Sequence, residues 1–186
     1  MTSPTPGPPP NWLLQARSHW TNRGEQRPDF AAQPIEGQES VWDYPRPPAV
    51  VADNRRIEVH SGDLLIASTT SAVRILETSH PPSFYLPPES VVDGVLTAVP
   101  GSSHCEWKGK AEYVAVSSTA QRIGWRYLEP YPEFAHCAGY VSFYPDAVEC
   151  FVDGERVRPQ AGGFYGGWIT DEIVGPFKGE TGSSGW

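Results

Sequence analysis

Lysine is scarce in this chain. Of 14 basic residues in 186, only Lys108, Lys110 and Lys178 are lysines, and the other eleven are arginines. Cysteine is scarce too, and its count is odd: Cys105, Cys137 and Cys150. Three cysteines behind no secretion signal read as free thiols in a reducing, cytoplasmic setting rather than as a disulfide framework. The opening MTSPTPGPPP has neither the basic start nor the apolar core of a signal peptide. No run approaches the roughly 20 apolar residues of a membrane helix, so no membrane partner is expected. Clusters of positive charge are missing as well. With 22 acids against 14 bases the net charge is -8, which repels phosphate backbones and argues against nucleic acid. No phosphate loop, no GxGxxG after a strand and no G-x-S-x-G elbow occurs, and GGFYGG has the wrong spacing for the first two. There is no Asp-x-Asp pair of the kind that holds magnesium in many nucleotidyl transfer enzymes.

What is present is turn chemistry and aromatics: 20 prolines, 18 glycines and 12% aromatic residues. Residues 1–10 read as a disordered tail. Residues 11–40 read as a helix and linker, with Asn11 as cap, a helix to about Asn22, and Trp12, Ala16 and Trp20 on one face. Residues 41–186 read as one β-rich domain. RRIEVH and LLIAS flank a Ser61-Gly62-Asp63 turn, and Asp153-Gly154 signals a second hairpin. SAVRILE, FYL, AEYVAVSS, IGWRYL and GYVSFY are further short strands, and Pro88 opens a short helix. The expected fold is mainly β: a single antiparallel domain, barrel-like or a compact two-sheet arrangement, with one or two short helices. The tail from Gly162 carries Tyr165, Trp168, Phe177 and Trp186, too many large aromatics for a floppy end, and is expected to pack down.

The stretch HCEWKGKAEY gathers reactive side chains in a turn. Two of the three lysines sit in the setting aromatic-Lys-Gly, at Lys108 and Lys178. Lysine, unlike arginine, can lose its proton when buried. In SAVRILE, alternation puts Val73, Ile75 and Glu77 on one face, so a carboxylate ends an apolar stripe. Glu77 and Lys108 are therefore the expected polar pair, either an acid–base couple or a structural contact. Cys105 is a nucleophile candidate if Lys108 lowers its pKa, and otherwise a small buried group. His80, held before two prolines, is expected to line a site with Tyr85 or to cap a turn. Two His-Cys pairs, His104-Cys105 and His136-Cys137, suggest zinc. Adjacent strand residues point to opposite faces, however, and the x₂ ligand spacing is missing, so no metal is expected.

The motifs SVWDYPRPP, AVRILETSHPPSFYLPPESV, CEWKGKAEY, HCAGYVSFYP, VDGERVRPQAGGFYGGWIT and VGPFKG, in this order, resemble the bacterial family of domain of unknown function 427. The resemblance spans roughly residues 39–186. It implies a small β-rich domain without a settled activity, sometimes labelled nucleotidyltransferase-like. It carries over Glu77, Tyr85, Cys105, Lys108, Gly109, Tyr113, Trp125, Tyr140 and Tyr144, and leaves out His136 and Cys137.

Together these readings give a small-molecule-binding domain. Its pocket is expected to be lined by Trp107, Tyr113, Trp125 and Tyr144, with His80, Tyr85, Tyr165 and Trp168 as further ligand-binding candidates. Glu77, Lys108 and Cys105 are the catalytic candidates, and no cofactor is expected. One alternative is a metal-independent enzyme using Glu77 and Lys108 as acid and base on a small organic substrate. Another is a partner-binding module that docks through its aromatic tail. The chain leaves room for a homodimer.

Overall fold

The structure, a computed structural model, describes residues 10–183 and Trp186. Apart from Pro10, the expected tail over residues 1–10 lies outside the described residues. Helix α1 spans Asn11–Ser18, shorter than expected, with Pro10 at the cap position and Asn11 already helical. Its last turn is closed by the Ser18 hydroxyl, which donates to the Gln15 carbonyl. The helix docks through buried Leu13 and through Arg17, whose Nε donates to the Glu106 carbonyl at 2.8 Å. Trp12 is largely exposed, and Trp20 lies beyond the helix end, so the expected three-residue face does not form.

Fifteen strands follow among the described residues. The first six are β1 (Glu39–Ser40), β2 (Ala49–Asp53), β3 (Ile57–Ser61), β4 (Leu64–Thr69), β5 (Ala72–Leu76) and β6 (Ser83–Tyr85). Next come β7 (Leu96–Cys105), β8 (Gly109–Val116), β9 (Arg122–Arg126) and β10 (Val141–Phe143). The last five are β11 (Glu149–Val152), β12 (Glu155–Arg156), β13 (Arg158–Pro159), β14 (Trp168–Ile169) and β15 (Ile173–Val174). They form five sheets, ordered β10-β9-β8-β7, β12-β11-β3-β4, β2-β5-β6, β13-β14 and β1-β15. Every pairing is antiparallel except β1 with β15, and no sheet closes into a barrel. The β3–β4 and β11–β12 hairpins sit where the turn signals put them. Asp153 holds a positive φ of 48° in the second turn, as a type I′ turn requires. Pro88 does open a helical segment, a single 3-10 turn over Pro88–Ser90.

Period-two alternation divides the interior. On β6, Phe84 faces one cluster and Tyr85 another; Leu86, just beyond, returns to the first. On β8, Val114 joins the first cluster while Ala111 and Tyr113 join the second. On β9, Ile123 joins the first and Trp125 the second although they are two apart, because the bulge opposite Val114 and Ala115 breaks the alternation there. The first cluster is the main core, aliphatic except for Phe84, Phe143, Trp168 and the Cys150 thiol. Trp168 stacks on Phe84 at 4.8 Å and donates its indole N–H to the Phe143 carbonyl at 3.0 Å. The second cluster is mostly aromatic and forms the wall of a cavity. A third, Val41, Trp42, Tyr44 and Ile173, fastens the N-terminal linker to the C-terminal tail.

Candidate functional site

The cavity has a volume of about 250 Å³, at the small end for a ligand site. Strand β5 delivers Ile75 and, one step past its end, Glu77, the apolar stripe and terminal carboxylate that alternation predicts. The turn after it brings His80, and β6 brings Tyr85. The β7–β8 hairpin contributes Cys105, Glu106 and Lys108. Gly109, which follows Lys108 at φ +98°, makes the tight return possible. Trp125, Tyr127 and Tyr144 form the aromatic wall. Trp125 and Tyr144 lie 4.6 Å apart at 45°, and the Trp125 indole donates to the Tyr85 hydroxyl at 2.9 Å. The lining also includes Trp20, Gln160, Phe164, Tyr165 and Gly166.

Of the sequence-predicted residues, Glu77, His80, Tyr85, Cys105, Lys108, Trp125, Tyr144 and Tyr165 line this cavity. Trp107, Tyr113 and Trp168 do not. Trp107 is buried beneath the Arg17 guanidinium, 5.1 Å from its ring. Tyr113 belongs to the same cluster, but its ring is covered by Arg122 at 4.3 Å. Trp168 is fully buried in the main core.

The polar pairing also differs from expectation. The ion-pair partner of Glu77 is Arg46, with Nε 3.2 Å from Oε1 and a fully buried side chain. Arg46 also donates to the carbonyls of Asn22 at 3.2 Å and Thr78 at 2.8 Å, and its guanidinium lies 4.2 Å from the Trp20 ring. Sequence reasoning missed Arg46 because its partner is 31 positions away; the one signal was its place between two prolines in PRPP. Lys108 has no carboxylate within 4.0 Å among the described residues. Its neighbours are the Cys105 thiol and the Phe134 ring, the latter at 5.8 Å.

These contacts set the charges. Burial works to raise the Glu77 pKa, but His80 in its protonated form, Lys108 and Arg46 outweigh it and hold the carboxyl below its usual range; of these, Lys108 and Arg46 are the cations at neutral pH. Burial works to lower the Lys108 pKa, while Cys105 and Tyr85 in their anionic forms, and Glu77, work to raise it. Only Glu77 of those three is an anion at neutral pH. Burial pushes the Cys105 thiol up, and pushes Tyr85 up to about 12. Cys105 is therefore a neutral thiol rather than an activated nucleophile. Burial pushes His80 down to about 4, against a weaker pull from Glu77.

The second lysine of the aromatic-Lys-Gly pattern has a structural place. Lys178 is buried, and its ammonium donates to the carbonyls of Ser183 and Trp186, both at 2.9 Å. Among the described residues no group of three His, Cys, Asp or Glu side chains gathers to hold a metal, and no helix is long and apolar enough to cross a membrane. No curated protein matches the chain. The family model described as Domain of unknown function (DUF427) matches residues 49–154, from β2 to the turn after β11, and the chain belongs to that family.

Proposed function

We propose that this domain binds a small planar anion, with the ring against Trp125 and Tyr144 and the charge on Lys108. The observation that carries the reading is Lys108 itself. It is a charged ammonium on the wall of a small aromatic cavity, with no carboxylate in contact among the described residues. A buried cation without a close counter-ion is costly to keep, and a ligand carboxylate would supply what is missing. Acid–base catalysis by the same pair is the weaker reading. Such groups work best with pKa values near the operating pH, whereas Glu77 is driven down and tied to Arg46. Nucleotidyl transfer is weaker still. The carboxylates lining the cavity are Glu77 and Glu106, the first bound to Arg46 and the second accepting from the Trp20 indole at 2.8 Å. The tail is a poor docking arm, since Trp168 is fully buried and Tyr165 lines the cavity. A bacterial, cytoplasmic setting fits a small metabolite as ligand.

The test is native mass spectrometry of the parent and of Lys108→Met, followed by calorimetric titration with small aromatic carboxylates and their neutral amides. A charge-assisted hydrogen bond of about 1.5–3 kcal/mol predicts a preference for the carboxylate of roughly 10- to 150-fold, lost in Lys108→Met. The variant should fold with parent-like stability, because it removes a charge without orphaning a carboxylate. Equal affinity for acid and amide would overturn the reading, as would an empty parent that binds neither.

A further inference from the structure

His80 can be assigned a defined role within this cavity, and the assignment rests on the ligand-binding reading above. The key is the side-chain amide of Gln160, a buried group on the C-terminal side of the domain. Its orientation is fixed by two backbone groups. Gly167 N–H donates to its Oε1 at 3.1 Å, and its Nε2 donates to the Lys178 carbonyl at 2.7 Å. Turning the amide over would set oxygen against oxygen at Lys178 and N–H against N–H at Gly167. With the amide so held, its second N–H faces Nδ1 of His80 at 3.0 Å. Nδ1 must therefore accept, so it carries no proton. The ring is the neutral tautomer with its hydrogen on Nε2.

That Nε2–H has no partner among the described residues, and no carboxylate lies within 4.0 Å of the ring. His80 lines the same cavity as Lys108, with the Tyr165 ring edge-on at 4.9 Å. The charged groups around it are Glu77, Arg46, Lys108 and Lys178. The three cations oppose a positive charge on the ring and agree with the neutral form.

We propose that His80, locked by Gln160 as a neutral Nε2–H donor, selects ligands that carry a neutral hydrogen-bond acceptor in addition to the anionic group held by Lys108. The chemical class is a small carboxylate bearing a carbonyl oxygen or an unprotonated ring nitrogen. A simple aromatic acid fills the cavity but leaves the donor unmet, and a protonated amine at that position is rejected.

Two measurements test this. The first needs no ligand: long-range ¹H–¹⁵N correlation of the His80 ring in the full chain. The expected result is the Nε2–H tautomer, neutral from pH 5 to 8, replaced by a protonated ring or the Nδ1–H form in Gln160→Glu. An Nδ1–H tautomer in the parent, or a ring that titrates near its ordinary value, overturns the proposal. The second is a titration with matched pairs, pyridine carboxylates against benzoate. The parent should prefer the acceptor-bearing member by roughly two- to tenfold, the usual range for one neutral hydrogen bond, and His80→Phe should lose the preference. Equal binding of both members by the parent overturns the role of His80 and leaves the anion site standing. Failure of every carboxylate to bind overturns both.

Discussion

Replacing Arg46 with methionine is the perturbation whose size the structure best defines. The guanidinium is fully buried and serves the Glu77 carboxylate, two backbone carbonyls and the face of Trp20. Methionine fills most of the volume and supplies no donor. Breaking a buried ion pair by removing one partner costs about 3–5 kcal/mol. Glu77 keeps some contact with the cavity, 17% of its side chain, and has the Lys108 charge nearby, so the lower end, about 3 kcal/mol, is the expected loss. In a domain of this size each kcal/mol lowers Tm by about 2–4 °C, which gives a fall of roughly 6–12 °C. Arg46→Lys restores charge but not the planar fork, and should recover part of the loss. The assay is urea denaturation with calorimetry at pH 7, repeated at pH 4. Glu77 is held below its usual range in the parent, so its contribution is full above the ordinary carboxylate pKa and fades as pH falls through the folded value. In Arg46→Met an isolated Glu77 protonates more readily, and the gap between the two proteins should narrow in acid. A loss under about 1 kcal/mol at pH 7, or a gap that widens in acid, would refute the reasoning.

His80 gives a second acid limb at a higher pH. Its folded value of about 4 lies below the roughly 6.5 of an unfolded histidine. The stability it lends is therefore complete above that unfolded value and is lost between it and the folded one, by up to about 3 kcal/mol. Chemical denaturation across this window should show the decline in the parent, and His80→Phe should flatten it. Gly166→Ala tests the cavity wall: a Cβ there would lie 2.2 Å from the Trp125 ring, so the indole must move. The expected result is a shifted tryptophan emission and weakened carboxylate binding; unchanged emission and affinity would count against this placement of Trp125.

Much of the β architecture was legible because alternation and turn residues speak locally. SAVRILE placed Glu77 at the end of its stripe, and both hairpins followed from their turns. The ten-residue strand β7 was not legible, because Pro100 and Gly101 interrupt it. It tolerates them as an edge strand with a bulge between Val99 and Ser102. At the site, alternation could tell which residues share a face, not what covers them. Tyr113 shares a cluster with Trp125 yet is capped by Arg122, and Trp168 faces the opposite core. Arg46 and Gln160 act through partners 31 and 80 positions away, a separation that no local pattern encodes.

The parallel pairing of β1 with β15 joins residues 39–40 to residues 173–174. Trp20, Gln160 and Tyr165, all outside the family-matched segment, complete the cavity. During synthesis on the ribosome the central strands emerge and can pair well before Gln160 and Tyr165 exist. Until then His80 lacks the amide that sets its tautomer, and the aromatic wall stands open to water. A chain released short of Gln160 would keep the Glu77 and Lys108 side chains but would also lack Trp168, so its main core would be left unfinished together with its cavity.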